Sequence, residues 1–475
     1  MVLLDTNYLP SSECNKHEMA SFYRIFTMNN RSNRVVNALT ILISPGIGIK
    51  RWILLSAIAL GLIFLGAGFL AEIALGNNLI HYARLLTLGY VFDSATGTLP
   101  LLRGGLFLIF GALVFSIAAV KLYAAITRFK PTTSPIGFLD EVYIQRYLIL
   151  GPKIVAIGGG TGLSNLLRGL KNYTTNLTAV VSVGDDGGSS GRLRDELNIP
   201  PPGDIRNCMI ALADSEIIMQ SLMDYRFPGT GDLRGHSFGN LLIAAMADLS
   251  GSFEKGIQQA GQFLAIRGRV LPASLERVTL AVETVSTRKV IGESKIGELR
   301  EPIKRMYILN KVKAFQESID AISDADLIII GPGSLFTSIV ASLLIPGINE
   351  AISKSSALKL YVSNLAMQPG ETTSFSLDDH IQIIYDYMKP AVPDLVLANN
   401  HIPDNLDPAT ANLLIKPFTE HKGTAPILFE SLLNTDDPLY HDPRKLAQIT
   451  MESIYESRRD AKSPVLQYGQ PEIYQ

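Results

Sequence analysis

Cysteine is nearly missing from this 475-residue chain: only Cys14 and Cys208 occur, far apart and without metal-ligand spacing. That excludes a disulfide framework and a cysteine-based zinc site, and it fits a reducing compartment. An excess of either charge is missing as well. The 42 Lys and Arg face 44 Asp and Glu, a net charge of −2, so there is no basic footprint for nucleic acid. Internal repeats and low-complexity segments are absent. So are GxxxxGK[ST], HExxH, CxxC, a Ser/His/Asp order and a dehydrogenase fingerprint, which argues against a P-loop ATPase and a zinc peptidase. What the chain has in excess is apolar residues, 47% of the total, with a mean hydropathy of +0.22. That excess is local.

Trp52–Ala71 is twenty residues without one charge, enough to cross a hydrocarbon core of roughly 30 Å at about 1.5 Å per residue. Gly104–Val120 is a second uncharged run, extended to residue 123 if Lys121 snorkels. A buried core helix is the alternative for each. The spacing predicts a transmembrane hairpin over 52–123, with spans 52–71 and 104–123. A polar segment 1–51 precedes it and a linker 124–152 containing Pro131–Pro135 follows. Arg34, Lys50 and Arg51 before the first span, and Lys121, Arg128 and Lys130 after the second, outnumber Arg84 and Arg103 between them. Both termini are therefore expected in the cytoplasm. Trp52, Tyr90 and Tyr123 stand near the expected interfaces. Glu72 and Lys121 fall only at the edges of the spans, which favours an anchor over a transport path.

From Lys153 the pattern alternates. Strands are expected at Lys153–Ile157, Leu177–Val183, Leu327–Ile330, Leu360–Val362 and Leu395–Leu397, with a hairpin of short strands in Arg277–Ile291. Helices are expected at Leu163–Leu170, Ile205–Ala213, Phe238–Leu249, Phe253–Ile266 and Ala314–Ile322. Apolar runs such as DLIII are those of strands buried on both faces. The order predicts a doubly wound, three-layer, Rossmann-like α/β domain over 153–417, with an unread extension at 418–475. Ligands in such sheets lie beyond the carboxyl ends of the strands.

Five loops carry candidate chemistry. Gly158, Gly159, Gly160, Thr161, Gly162 and Leu163 form a glycine-rich turn between strand and helix, where backbone N–H groups can meet an anion. Leu163 stands where a dinucleotide fingerprint wants its last glycine. Val183–Arg194 places Asp185 and Asp186 as candidate ribose or metal ligands. They stand ahead of Gly187, Gly188, Ser189, Ser190 and Gly191, with Arg192 and Arg194 able to balance phosphate. Pro201–Asn207 opens a helix with Pro202 and Gly203; Asp204 is either its N-cap or a metal ligand or general base, with Arg206 and Asn207 on the same turn. In Tyr225–Asn240, His236 is either structural or a titrating group, and Asn240 either a core residue or a ligand contact. Gly331, Pro332, Gly333 and Ser334 make a sharp turn after DLIII, placing Thr337 and Ser338 over another anion-ready helix start. Asn364 follows a later strand, and Pro369–Thr372 leads into a helix containing His380.

The stretches AIGGGTGLSNLLRGLK, DDGGSSGRLR, PPGDIRNCMIALA, YRF, GHSFGNLLIAA, VLPAS, ADLIIIGPGSLFTSI and YVSNLAMQPGET, in this order from Lys153 to about His401, resemble the CofD/YvcK family. Gly184 departs from its pattern, where alanine or threonine is expected. The hairpin lies outside the family core but is similar to membrane-attached versions.

The resemblance implies two branches. CofD enzymes move a phospholactyl group from a nucleoside diphosphate-linked donor to a hydroxyl of a deazaflavin precursor, with magnesium. YvcK-like gluconeogenesis factors share the fold, bind UDP-sugars, and support cell shape and envelope synthesis. The wording of DDGGSSGRLR and GHSFGN is closer to the second branch. Expected, then, are a nucleotide or nucleotide-sugar ligand, Mg2+ at Asp185 and Asp186 with Asp204, and Asp204 or His236 as proton acceptor in the enzymatic case. Also expected are a cytoplasmic α/β domain on the inner membrane and a homodimer.

Overall fold

The computed structural model describes residues 49–75, 99–127, 148–214, 216–404, 406–416 and 425–460. The chain divides into two compact units, Met1–Arg146 and Tyr147–Gln475.

The first unit contains two long helices, α1 (Ile49–Leu75) and α2 (Leu99–Thr127). They pack through small residues recurring every seventh position: Ala59 and Gly66 on one, Gly104, Gly111 and Ala118 on the other. A methyl group added at Gly66 would lie 2.8 Å from the Gly104 carbonyl oxygen, and one at Gly111 3.1 Å from that of Ala59. Such residues let backbones approach closely. The bulky side chains point the other way; Phe64, Ile109 and Val120 are 76%, 71% and 65% exposed. Among the described residues one helix, over Gly104–Lys121, is long and apolar enough to cross a membrane; the apolar stretch Leu54–Gly68 of α1 is shorter. Arg34, Arg84, Arg128, Lys130, Tyr90 and the Pro131–Pro135 linker lie outside the described residues.

The second unit is built on a seven-stranded, all-parallel sheet in the order β10-β9-β8-β7-β1-β2-β3. The strands are β1 (Ile154–Gly158), β2 (Leu177–Val181), β3 (Arg269–Pro272), β7 (Leu327–Ile330), β8 (Leu358–Val362), β9 (Leu395–Asn399) and β10 (Ile427–Glu430). Alternate β1 residues feed separate cores. Ile154 and Ala156 pack with α3 (Gly160–Leu170), α5 (Gly203–Leu212), α7 (Phe238–Ser250) and α8 (Phe253–Phe263). Val155 and Ile157 pack with α10 (Gln316–Ser323), α11 (Ile348–Lys354) and α12 (Leu377–Met388). Two cores on a sheet buried on both sides make the three layers expected. The order runs outward from β1 in one direction and from β7 in the other, so the switch point lies between these two strands, and both carry glycine loops at their carboxyl ends.

Besides the strand β3, which the sequence reading lacks, two larger features depart from it. The hairpin β4 (Leu280–Thr284) and β5 (Lys289–Ile291) is joined by β6 (Ile303–Ile308) in a second, antiparallel sheet ordered β5-β4-β6. Between β5 and β6 runs a one-turn helix, α9 (Glu293–Ile296). Within the stretch read as an extension, residues 425–460 join the α/β unit: β10 closes one edge of the main sheet. A final helix, α14 (Pro443–Asp460), rests on α3, where Gly169 leaves room for the Pro443 carbonyl and the Ala447 side chain. An ILFE strand at a sheet edge is short and half-buried, so its pattern is faint.

Candidate functional site

The loops after β1 and β7 interlock across the switch point. A methyl group on Gly162 would lie 2.8 Å from the Pro332 carbonyl oxygen, and one on Gly333 3.1 Å from that of Gly159. Gly158–Leu163 and Gly331–Ser334 thus form one wall.

Both helix starts expected to hold an anion already hold a carboxylate of the chain. Asp204 is not the N-cap of α5, a position taken by Pro202. Its carboxylate instead reaches over Gly159, where any side chain would overlap it, and accepts the Gly160 N–H at the start of α3. Burial, reinforced by Asp185, raises its pKa from 3.8 to about 6, against the pull of Gly160 and Arg206. The π-helical turn Leu335–Val340 after β7 is closed by Glu371. That carboxylate accepts Phe336 N–H at 3.0 Å, Thr337 N–H at 3.2 Å and the Thr337 hydroxyl at 2.6 Å. Gln368 bridges it to the Ser334 hydroxyl at 2.9 Å. Thr337 and Ser334 are therefore engaged within the chain. Ser338 faces Gly159, and Asn364 donates to the Gly333 carbonyl at 2.9 Å while its buried Oδ1 has no partner.

The third helix start is open. The loop after β2 leads into α4 (Gly188–Leu197), whose N-cap is Gly187 and which has no side-chain cap. A methyl group at Gly188 would meet nothing within 4 Å. An uncapped N-terminus with its N–H groups free is an anion site.

The acidic pair splits. Asp185 accepts Gly187 N–H at 2.8 Å and lies beside Gly203, on the Asp204 side. Asp186 turns outward to accept Ser294 N–H of α9 at 2.9 Å. With their carboxylates on different partners, Asp185 and Asp186 do not form one donor set. Among the described residues no three His, Cys, Asp or Glu side chains gather into a group able to hold a metal ion. Asp185 with Asp204 still fits Mg2+, which typically takes one or two protein carboxylates and completes its shell with water and phosphate oxygens.

The basic residues also differ from expectation. Arg192 donates to the Arg234 carbonyl at 2.6 Å and so ties down the Tyr225–Gly235 loop. Arg194 donates to the Asp185 carbonyl at 3.1 Å. Arg206 is buried and bonds Ser237 Oγ at 2.6 Å, Asn240 Oδ1 at 3.2 Å and Asn207 Oδ1 at 2.9 Å, with Asp224 3.3 Å away. These guanidinium groups hold loops rather than facing open space. His236 is buried 3.0 Å from Ser189 Oγ, with Asn240 bonded to Ser189 and Ser190 behind it. Burial and the nearby Arg192 lower its pKa, which favours the neutral ring, and its contact positions Ser189.

Two acids escaped the sequence reading. Glu371 sits in the PGET stretch, but nothing in that string says which helix it caps. Glu293 has no motif at all; the second sheet delivers it among Asp185, Glu371, Asp186 and Asp204, and burial with those charges lifts its pKa to about 8.

A family model described as 2-phospho-L-lactate transferase CofD matches residues 154–419, more than half of the chain. The chain belongs to the CofD family. Within it, a protein from Bacillus subtilis named gluconeogenesis factor is 43% identical over 313 residues, covering 64% of this chain and 99% of its own. A relative from Deinococcus radiodurans is 35% identical over 421 residues, covering 86% of this chain and 88% of its own. The crystal structure of a Bacillus halodurans protein matches with a TM-score of 0.60 at 41% identity, over 64% of this chain and 99% of that one. CofD-family membership accounts for the parallel sheet and the order of its loops.

Proposed function

We propose that this chain is a nucleotide-sugar-binding protein of the gluconeogenesis-factor kind. In this reading it is held at the cytoplasmic face of the inner membrane by its helical hairpin and couples ligand to carbon metabolism, cell shape and envelope synthesis. The observation that carries the binding reading is the open start of α4 beside Asp185 and Asp204, at the switch point of a parallel sheet. The diphosphate would lie at Gly188–Ser190, because Asp204 and Glu371 occupy the other two starts and Asp185 already takes the Gly187 N–H. Asp185 and Asp204 would hold Mg2+, which would supply positive charge to offset the phosphates. The names of the relatives support the gluconeogenesis-factor assignment, and the outward apolar faces of α1 and α2 support the membrane anchor. Titration calorimetry of the purified protein against UDP-sugars, with and without Mg2+, tests the binding; no saturable heat with any of them overturns it.

A second reading, phospholactyl transfer, is favoured by the raised pKa of Asp204, which suits a general base near neutrality. The acceptor hydroxyl oxygen would bond to the lactate-bearing phosphorus, the nucleoside monophosphate would leave with the bond's electron pair, and Asp204 would take the hydroxyl proton. Turnover of a phospholactyl donor with a deazaflavin acceptor, lost in Asp204→Asn, is its signature. Turnover undiminished in that variant removes the role.

A further inference from the structure

Two buried hydrogen-bond acceptors at the carboxyl end of β8 have no donor. The first is Asn364 Oδ1. Its amide is oriented, because Nδ2 donates to the Gly333 carbonyl at 2.9 Å, and Oδ1 is left without a partner. The second is Nε2 of His441, a residue only 5% exposed. The His441 ring is hydrogen-bonded to the Ser363 backbone, a bond that helps to keep a proton on the ring, as an N–H given to a carbonyl does. With Nε2 unpartnered, the donor is Nδ1–H, so Nε2 carries a bare lone pair. Burial lowers the His441 pKa to about 4, and the ring is neutral at pH 7. Asn364 directly follows Ser363, so the carbonyl that anchors the imidazole lies in the peptide joining these two residues.

The fold fixes both groups. Gly333 packs against Gly159, which puts Asn364 on the wall made by the loops after β1 and β7. His441 lies between β10 and α14, in a segment pinned at both ends. It bridges to Leu433, the Asp442 N–H donates to the Leu432 carbonyl at 2.8 Å, and the Leu432 N–H donates to Asn399 Oδ1 at 3.1 Å. Buried polar groups are nearly always paired. Two unmatched acceptors on adjoining groups, at the ligand-binding end of a parallel sheet, call for a donor that the chain does not supply.

Phosphate oxygens offer no such donor, so this is a different part of the ligand from the one at α4. From β2, which leads into α4, to β8 is three interstrand steps, about 14 Å. That is the reach of a nucleoside diphosphate from its phosphates to the far edge of its base. The keto bases uracil and guanine present a ring N–H on that edge. Adenine and cytosine place a lone pair at the same ring position, which would face the two acceptors and be repelled.

We propose that Asn364 and His441 read the nucleobase: Oδ1 and Nε2 accept the ring N–H edge of uracil or guanine and reject adenine and cytosine. This rests on the nucleotide reading above and extends the ligand from α4 across the switch point to β8.

The test is titration calorimetry of the full chain, with Mg2+, against UDP, GDP, ADP and CDP. Wild type is expected to bind UDP or GDP at least about tenfold more tightly than ADP and CDP, because a site built around a substrate N–H rejects the analogue lacking it. Asn364→Ala and His441→Phe should each shrink that ratio to within about threefold, while Asn364→Asp, which keeps an acceptor oxygen, should retain it. Equal affinity of wild type for the four nucleotides overturns the proposal. A keto-base preference that survives both Asn364→Ala and His441→Phe overturns it too, and the two acceptors then serve a buried water only. Thermal melts that match wild type keep misfolding out of the comparison; should His441→Phe fail to fold, the two Asn364 variants decide alone. Wild type that binds none of the four sinks this inference, and if UDP-sugars give no heat either, the nucleotide-sugar reading falls with it.

Discussion

The carboxylate of Asp204 lies directly over Gly159, in the space that any β-carbon there would occupy. Gly159→Ala is accordingly expected to displace that carboxylate. The fold should survive with a loss of about 1–3 kcal/mol from overpacking, measured by urea denaturation, while Mg2+-dependent nucleotide binding disappears. Undiminished binding would separate Asp204 from the metal.

Replacing Asp204 by Asn should alter how stability depends on pH. The folded-state pKa is raised from 3.8 to about 6, so between these values the native protein holds a proton that the unfolded chain has released. This contribution is present below about pH 4 and is lost as pH rises through about 6. A shift of about two units corresponds to roughly 3 kcal/mol. In chelator, Asp204→Asn should therefore exceed wild type in stability by up to that order at pH 7 and match it near pH 4. Denaturation curves at the two pH values check this, and equal stability throughout would argue against a buried, strained carboxylate.

Glu371→Gln retains the size of the side chain but places an amide NH2 among donors from Phe336 and Thr337. A loss of about 1–3 kcal/mol follows from leaving buried donors unmatched. Hydrogen exchange should quicken first in the Leu335–Val340 turn, and uniform exchange across the domain would contradict this local role.

Arg206 carries bonds to three side chains and a charge pair to Asp224 from a buried position. Its replacement by Ala should cost about 3–5 kcal/mol, as breaking a buried charged network does. Arg206→Lys should rescue only a fraction, since one ammonium cannot span Ser237, Asn240 and Asn207 together. Thermal unfolding of the two variants gives the comparison.

The hairpin makes a separate prediction. Removal of residues 49–127 should move the protein from the membrane fraction to the supernatant, while Gly104→Leu should force α1 and α2 apart at Gly66. Carbonate extraction of membranes distinguishes the cases: release of the intact chain by alkaline carbonate would exclude an inserted hairpin.

Much of the architecture was legible because its signals are periodic. DLIII and KIVAI are runs that only a sheet buried on both faces tolerates, and β7 falls at Leu327–Ile330 as read. The strand Ile303–Ile308 was missed because IKRMYI mixes cations into a one-sided face. At the site, the residue types were readable and their directions were not. Arg192 and Arg194 read as phosphate partners and Arg206 as a ligand contact, yet each bonds loops or neighbouring side chains brought near by the chain's return. Asp185 and Asp186 read as a pair, yet they bond different partners, Gly187 and Ser294. Gly184, which departs from the family pattern, sits against the Leu280 side chain, and an added methyl would crowd it. That neighbour arrives almost a hundred residues later, beyond the reach of any local motif.

The meshing of Gly162 with Pro332 has a mechanical consequence. The two halves of the parallel sheet are stitched at their seam by main-chain atoms, so the floor of the crevice has no hinge. Tightening around a guest is left to the loops above it, among them α9 and the arginine-tethered Tyr225–Gly235 loop. Two fluorescent labels on either side of this seam should therefore keep their separation on ligand addition.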